Sequence, residues 1–300
     1  MTCIDLFAGL GGFSAGAEAA GCRVVWAANH WQEAVRWHRA NHPQTRHVCQ
    51  DLHQCDWTTV PDHDVLLASP ACQGHSKARG KDRPHHDAAR STAWAIVSAA
   101  EAKLPAFLVI ENVPEFRNWA LFPSFEDALR RLGYILAPHI LDAADFEVPQ
   151  HRVRLFLVGS RSAAPVDLRL ERAESVRTAR DVVDFGSGDW SPVREKCPST
   201  RRKVSNGRAK LGSRFLVAYY GSERGGRSLD RPIGTITTRD RYAAVDGSRM
   251  RMLSVGEYRT AMGFPEAYHL PPNRRLATHL LGNAVCPPVA SAVLRALAAH

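Results

Sequence analysis

Thr2-Cys3-Ile4-Asp5-Leu6-Phe7-Ala8-Gly9-Leu10-Gly11-Gly12-Phe13 joins an apolar run to a helical pattern through a glycine-rich turn. The apolar run Thr2 to Phe7 has the length and composition of a buried strand, and a helical pattern starts at Phe13. Between them lies a glycine-rich turn, where missing side chains let a ligand approach the backbone closely. The same glycines would equally serve a tight strand-to-helix turn. Their spacing is not Gly-x-Gly-x-x-Gly, because Ser14 stands where the third glycine would be, and this argues against a nicotinamide cofactor.

The pattern repeats outward from this unit. Arg23 to Ala28, Asp64 to Ala68, Ala106 to Ile110 and Arg154 to Gly159 read as strands, with helices predicted over Phe13 to Ala20, Trp31 to Ala40, Ala88 to Lys103 and Ser124 to Leu132. Such alternation predicts an α/β fold built on a doubly wound, mostly parallel sheet, with ligand sites at the carboxyl ends of the strands. From about Ser160 the sequence turns arginine-rich, with Gly, Ser and Pro punctuation and weak periodicity, as expected of a second, smaller domain. The last apolar helix, Pro288 to Ala299, is expected to pack back on the first domain.

Composition narrows the class. A 300-residue chain that is 45% hydrophobic can bury a sizeable core. No run approaches the roughly 18 apolar residues of a membrane span, and Met1 to Asp5 lacks the basic-then-apolar order of a signal peptide, so a cytoplasmic, membrane-free protein is expected. The seven cysteines are scattered without zinc-ligand spacing, and the fourteen histidines, the pair His85-His86 included, are read mostly as solvated. No metal is expected. Residues 151 to 254 hold 22 Lys and Arg against 11 Asp and Glu, whereas the rest of the chain is slightly acidic, so the net charge of +9 belongs to one region. That asymmetry points to a polyanionic partner.

The residues able to do chemistry fall at predicted strand ends. Cys72 stands just beyond Val65-Leu66-Leu67-Ala68, with Pro70 stiffening the turn before it, and is a candidate nucleophile; a half-buried structural thiol is the commoner use of a lone cysteine. Glu111 ends the next strand, where a carboxyl group can hold or donate a proton or serve in a structural salt bridge. Asn29-His30-Trp31 offers a side chain for a ribose and a ring for a base, and Asp51-Leu52 a carboxylate for an exocyclic amine, though a helix start and a loop aspartate use the same residues. In Gln150-His151-Arg152-Val153-Arg154, period two puts both arginines on one face of a starting strand, suited to a phosphate or a carbonyl oxygen.

Taken together and in this order, these segments closely resemble the cytosine carbon-5 DNA methyltransferase family. The match runs through Phe7 to Gly12, Cys72-Gln73, Glu111-Asn112-Val113, Gln150 to Arg154, Arg231-Pro232 to Thr237-Thr238-Arg239, Met262-Gly263-Phe264-Pro265 and Gly282-Asn283-Ala284-Val285. The resemblance implies an S-adenosylmethionine-dependent methyltransferase fold, with Phe7, Gly9, Leu10, Gly12, Trp31, Asp51, Leu52, Asn283 and Val285 at cofactor-binding positions and His30 at the ribose position. It further implies that Cys72 attacks carbon 6 of a cytosine flipped from the duplex. Glu111 would hold the ring nitrogen and amino edge, Arg154 the base carbonyl, and Arg152 the loop.

Two positions depart from the family's habit: Ala71 stands where proline usually precedes the cysteine, and His30 where an acid usually meets the ribose. The basic loop Lys77 to Arg83 is a candidate lid over the base. The implied organisation is a catalytic and cofactor-binding domain over 1–160 and 275–300, with a target-recognition domain over 161–274. The implied partners are duplex DNA and, in a restriction-modification role, a cognate restriction endonuclease, with the enzyme expected to be a monomer. Methylation of tRNA and catalytically silent DNA binding are the rival readings; the basic middle region favours duplex DNA, and Cys72 with Glu111 favours catalysis.

Overall fold

A computed structural model describes residues 1–70, 92–162, 166, 168–220 and 223–300. Cys72, its neighbours Ala71 and Gln73, the candidate lid Lys77 to Arg83, the pair His85-His86 and the start of the helix expected from Ala88 lie outside the described residues. The described chain divides into two compact units, 1–142 with 153–172 and 284–300, and 143–152 with 173–283.

In the first unit, β1 (Thr2–Leu6), β2 (Arg23–Asn29), β3 (Arg46–Cys49), β4 (Val65–Ala68), β5 (Phe107–Asn112), β6 (Ile135–Asp142) and β7 (Val153–Ser160) form one sheet. Its order is β3-β2-β1-β4-β5-β7-β6. The first five strands are mutually parallel, and β7 runs antiparallel to both β5 and β6. The expected doubly wound, mostly parallel architecture is therefore the one found. β4 sits between two parallel neighbours, and its four residues are wholly buried, as a run without alternation requires.

Helices α1 (Gly12–Ala19), α2 (Gln32–Asn41), α3 (Trp94–Lys103), α4 (Phe122–Arg131) and α8 (Pro287–Ala298) complete this unit. α1 packs closely on α8 and on the chain leading into it. At Gly12 a Cβ would lie 2.0 Å from the carbonyl oxygen of Val285, so the close approach of this backbone requires glycine. The two strands that periodicity missed, β3 and β6, are the two edges of the sheet. β6 carries Pro138 and half-exposed residues, which only an edge tolerates.

The second unit holds the antiparallel sheet β8-β11-β10-β9, formed by Ser191–Pro192, Arg249–Met252, Tyr242–Asp246 and Arg214–Ala218 respectively. Helix α5 (Pro198–Leu211) packs on β9, with Val204 joining Phe215, Val217, Val245 and Met250 in a small core. α6 (Val255–Ala261) and α7 (Arg274–Asn283) follow. Beside divisions expected at 160 and 275, residues 143–152 group with this unit, 153–172 with the first, and the return falls at Ala284. Gln150 explains the first change, because its amide donates to the Ala261 carbonyl at 3.0 Å and accepts from Ile236 N at 2.8 Å. The stretch Arg274–Ala298 has the length and hydropathy of a membrane span, but 72% of its most apolar window is buried within the protein, as for core helices.

Candidate active site

Five strand ends of the first unit supply the site. After β1 the chain turns through Phe7 at φ 60, Gly9 at φ 55 and Gly11 at φ 99. Three left-handed residues in five make a tight reversal that glycine adopts freely, whereas Phe7 adopts it at a cost of roughly 1–2 kcal/mol. The turn is pinned where Ala8 N donates to Ala28 O of β2 at 3.0 Å and Gly11 N to Ala8 O at 2.8 Å. Gly9 has open space around its Cα: the nearest atom to a Cβ there would be the turn's own Phe7 carbonyl oxygen, 3.7 Å away. Of the two glycines carried over to the cofactor, Gly9 is thus free to meet one, and Gly12 lies against the Val285 backbone.

The neighbouring strand ends add polar and aromatic groups. Asn29 accepts the Trp31 amide on Oδ1 at 2.9 Å and so starts α2, while Gln50 N donates to Asn29 O at 3.1 Å. His30 is exposed, and the Trp31 side chain is partly covered. Asp51 is exposed and accepts from His53 N at 3.0 Å, fixing the turn in which Leu52 is buried. Phe7, Gly9, Leu10, His30, Trp31, Asp51 and Leu52 therefore follow the ends of three adjacent parallel strands, β1, β2 and β3. Leu10 itself is wholly buried and supports the turn from within. Asn283 ends α7 in the second unit, where its amide lies 3.2 Å from His279 Nε2.

On the other side of β1, the ends of β4 and β5 are tied together. Asn112 Nδ2 donates to the Pro70 carbonyl at 3.2 Å and its Oδ1 accepts from Val113 N at 2.8 Å. This buried amide fixes the chain two residues before Cys72, a role not assigned to it from sequence. Glu111, one residue earlier on β5, is buried, and its carboxylate pairs with Arg154 Nε at 3.1 Å. The salt bridge that the sequence offered for Glu111 is present: Arg154 on β7 holds its carboxylate at the strand end.

The two arginines expected on one face separate. β7 begins at Val153, so Arg152 precedes the strand rather than alternating within it. It is buried in the second unit and donates to Ile236 O at 3.1 Å and Gly282 O at 3.0 Å. Among its partners are two backbone carbonyls, which a guanidinium with several N–H groups can hold together.

The expectation of solvated histidines fails at α2. His38 and His42, one helical turn apart, are buried at 1% and 3% exposure. Their spacing on one helix face was the available signal. Burial lowers the His38 pKa, and burial together with the neighbouring His38 lowers that of His47 to about 4.

With this geometry in place, comparison with known proteins places the chain. The description of the C-5 cytosine-specific DNA methylase family matches residues 1–299, and the chain belongs to that family. It is accordingly a DNA cytosine methyltransferase, a transferase enzyme. It is 30% identical to the type II methyltransferase M.NlaX of Neisseria lactamica, over 97% of this chain and 94% of that protein. It is 27% identical to the type II methyltransferase M.HhaI of Haemophilus parahaemolyticus, over 94% and 89%. Among solved structures, the Entamoeba histolytica methyltransferase EhMeth superposes with a TM-score of 0.72 at 16% identity, covering 99% of this chain and 97% of that one. The S. pombe Dnmt2 methyltransferase superposes at 0.68 and 18%, covering 98% and 97%.

Proposed function

We propose that the enzyme transfers a methyl group from S-adenosylmethionine to carbon 5 of a cytosine flipped out of a short, specific duplex DNA sequence, through a covalent adduct with Cys72. One observation carries the reading: Glu111, paired with Arg154, emerges at the end of β5, while its neighbour Asn112 fastens Pro70, two residues ahead of Cys72 in the sequence. A carboxyl group and a thiol from adjacent strand ends suit an enzyme that must add a nucleophile to a ring and manage the ring's charge.

Cytosine carbon 5 becomes nucleophilic when a thiolate adds at carbon 6 and turns the ring into an enamine. Cys72 supplies that thiolate. Glu111 holds the ring nitrogen and amino edge so that charge developing on the ring is neutralised by a proton there. Arg154 orients Glu111 and can reach the base carbonyl, and Arg152 holds the loop ahead of β7. Loss of the carbon-5 proton then expels the Cys72 sulfur. Because carbon 6 is hidden in a stacked pair, the nucleotide must leave the helix, at a cost of a few kcal/mol.

The first unit fits the cofactor. Gly9 leaves room for a ligand against the turn, and Trp31 and Asp51 stand at the two neighbouring strand ends for the base. Phe7 belongs to the turn, Leu10 and Leu52 support these strand ends from the core, and His30 stands for the ribose. Gly12, Val285 and Asn283 act through the packing and termination of α1, α8 and α7. S-adenosylmethionine, when bound, supplies an electrophilic methyl group on a sulfonium.

The second unit is the target-recognition domain in this reading. α5 contains no acidic residue and exposes Arg201, Arg202, Arg208 and Lys210, a surface suited to phosphates. We place the enzyme in the cytoplasm, as a monomer without a metal, acting in restriction-modification beside a cognate endonuclease. Labelled methyl transfer offered to duplex DNA and tRNA, followed by bisulfite sequencing of DNA from expressing cells, tests the reading. Incorporation into DNA at one short sequence is expected. Incorporation into tRNA alone, or DNA binding without transfer, would overturn it.

A further inference from the structure

A hydrogen-bonded line of side chains runs through the first unit behind the glycine-rich turn. Ser14 on α1 donates from Oγ to Asp5 Oδ2 on β1 at 2.7 Å, and Ser14 Oγ lies 3.0 Å from His38 Nε2 on α2. His38 Nδ1 in turn lies 2.8 Å from His47 Nε2 on β3. Asp5 and Ser14 are completely buried and His38 nearly so. His38 and His47 border, with Ala8, Gly9 and Asn29, a narrow recess directly against the turn.

The direction of every proton follows from the end of the line. The Asp5 carboxylate can only accept, so it takes the single hydroxyl proton of Ser14. Ser14 Oγ must then accept, so His38 carries its proton on Nε2. That leaves His38 Nδ1 as the bare nitrogen of a neutral ring, and His47 must donate to it from Nε2. Four groups from β1, α1, α2 and β3 are thereby joined by donors that all point toward one buried carboxylate. A second proton on His38 would face the His47 donor at 2.8 Å and break the line.

The surroundings favour the neutral rings. Around the pair stand Asp5 from β1, Glu18 from α1, and Arg39 and His42 at the end of α2, with His42 Nδ1 held 2.9 Å from Glu18 Oε1. At His38 burial outweighs Asp5 and Glu18 and lowers the pKa. At His47 burial, together with His38 and Arg39, outweighs a hydrogen bond to the Thr45 backbone and lowers it to about 4. α1 has particular need of the line. It is eight residues long, starts at the left-handed Gly11, and has neither a side-chain cap nor an acidic residue in its first turn. Ser14, two residues past Gly12, is its polar fastening.

We propose that the line His47, His38, Ser14, Asp5 is a positioning device for the cofactor: it fixes the turn Phe7 to Gly12 relative to the ends of β2 and β3, so that the groups that receive S-adenosylmethionine are assembled before it arrives. His38 and His47 are positioning residues in this account and touch no substrate. The inference rests on the cofactor reading given above. Strain such as that at Phe7 persists only where the surroundings over-determine the backbone, and this line is the polar part of those surroundings.

The test is calorimetric titration of the full chain with S-adenosylhomocysteine, with unfolding temperature followed in parallel. His47→Leu, which removes the first donor, should weaken binding about tenfold and raise the KM for the methyl donor about as much, with kcat nearly unchanged. His47→Gln, whose amide can donate from the same place, should recover most of that affinity. Should His47→Leu fold poorly, Ser14→Ala interrupts the line at its centre and should show the same loss.

A lowered unfolding temperature with unchanged affinity in these variants would reduce the line to ordinary core packing and overturn the proposal. Ring nitrogen chemical shifts of labelled histidine read the line without any cofactor: protons on Nε2 of both His38 and His47 are expected, and the opposite tautomer on either would refute it. A wild-type chain that binds no S-adenosylhomocysteine would refute the cofactor reading, and with it the positioning role, while the tautomers still decide whether the line exists.

Discussion

Leu66 and Arg251 are both buried on strands of their sheets, and they are held there in different ways. Leu66 lies on β4 between β1 and β5, wholly buried among apolar neighbours, and needs only the right pattern to take that place. Arg251, on β11, donates to both oxygens of Glu257, at 2.8 and 2.6 Å, and to the carbonyls of Asp184 and Met252. Glu257 in turn caps α6 by accepting from Ser254 N and accepts from Asp184 N. The first unit is specified by apolar periodicity, the second by charged side chains clipped across long stretches of sequence. Aromatic faces extend the second pattern: Arg214 lies 4.8 Å from the Phe185 ring centre, and Arg249 4.9 Å from that of Trp190.

The contrast also divides chemistry from architecture, and its strongest test is catalytic. Glu111→Gln keeps the shape of the β5 end but cannot carry the proton, so methyl transfer should fall by about 10²–10⁴-fold while DNA binding persists. A loss of DNA binding in parallel would assign Glu111 to scaffold instead.

In the second unit the largest effect should come from its buried ion pair. Glu257→Gln leaves Arg251 charged and short of a partner, and should cost about 3–5 kcal/mol in urea unfolding. Replacing both, Arg251→Met with Glu257→Leu, should recover much of this, because desolvation of the pair is removed along with its attraction. A double variant no better than the single would mean that the backbone contacts of Arg251 matter more than the pair.

A smaller effect is expected where α1 meets Val285. Gly12→Ala puts a methyl group against a carbonyl oxygen and should destabilise the first unit by about 1–3 kcal/mol. Unchanged stability would show that the Val285 backbone yields there.

The mildest test is pH. His38, His47, His63 and His279 all have folded pKa values lowered, chiefly by burial, with His47 at about 4. Below the unfolded histidine value of about 6.5 the unfolded chain therefore binds more protons than the folded one. Their contribution to stability is complete above that value, declines as pH falls toward about 4, and levels off below the folded values. Urea midpoints across that range should fall, and His47→Gln should make the decline shallower; a flat profile would contradict the assigned burial.

The same contrast explains what was legible in the sequence. The strands of the sheet interior, β1, β2, β4, β5 and β7, were readable because burial on both faces leaves continuous apolar runs. β3, with Arg46-His47-Val48-Cys49, and β6, with Pro138, were not, because an edge strand carries polar residues and proline that hide its pairing. At the site, Glu111 and the glycine turn were visible from their place after apolar runs. The contacts of Arg152, one residue ahead of β7, were not legible, since its partners Ile236 and Gly282 are 84 and 130 residues away. Contacts of that span leave no periodic trace. The need for glycine at position 12 against the Val285 backbone has no local signal, because its partner is far away in the sequence.

The proposed chemistry at the strand ends of the first unit runs through the sulfur of Cys72. Duplex DNA carrying 5-fluorocytosine at the target, incubated with enzyme and methyl donor and then digested, tests it by mass spectrometry of the cross-linked peptide. A denaturation-resistant adduct on the peptide containing Cys72 is expected, dependent on the methyl donor and absent in Cys72→Ser. An adduct on another cysteine, or one that survives Cys72→Ser, would contradict it.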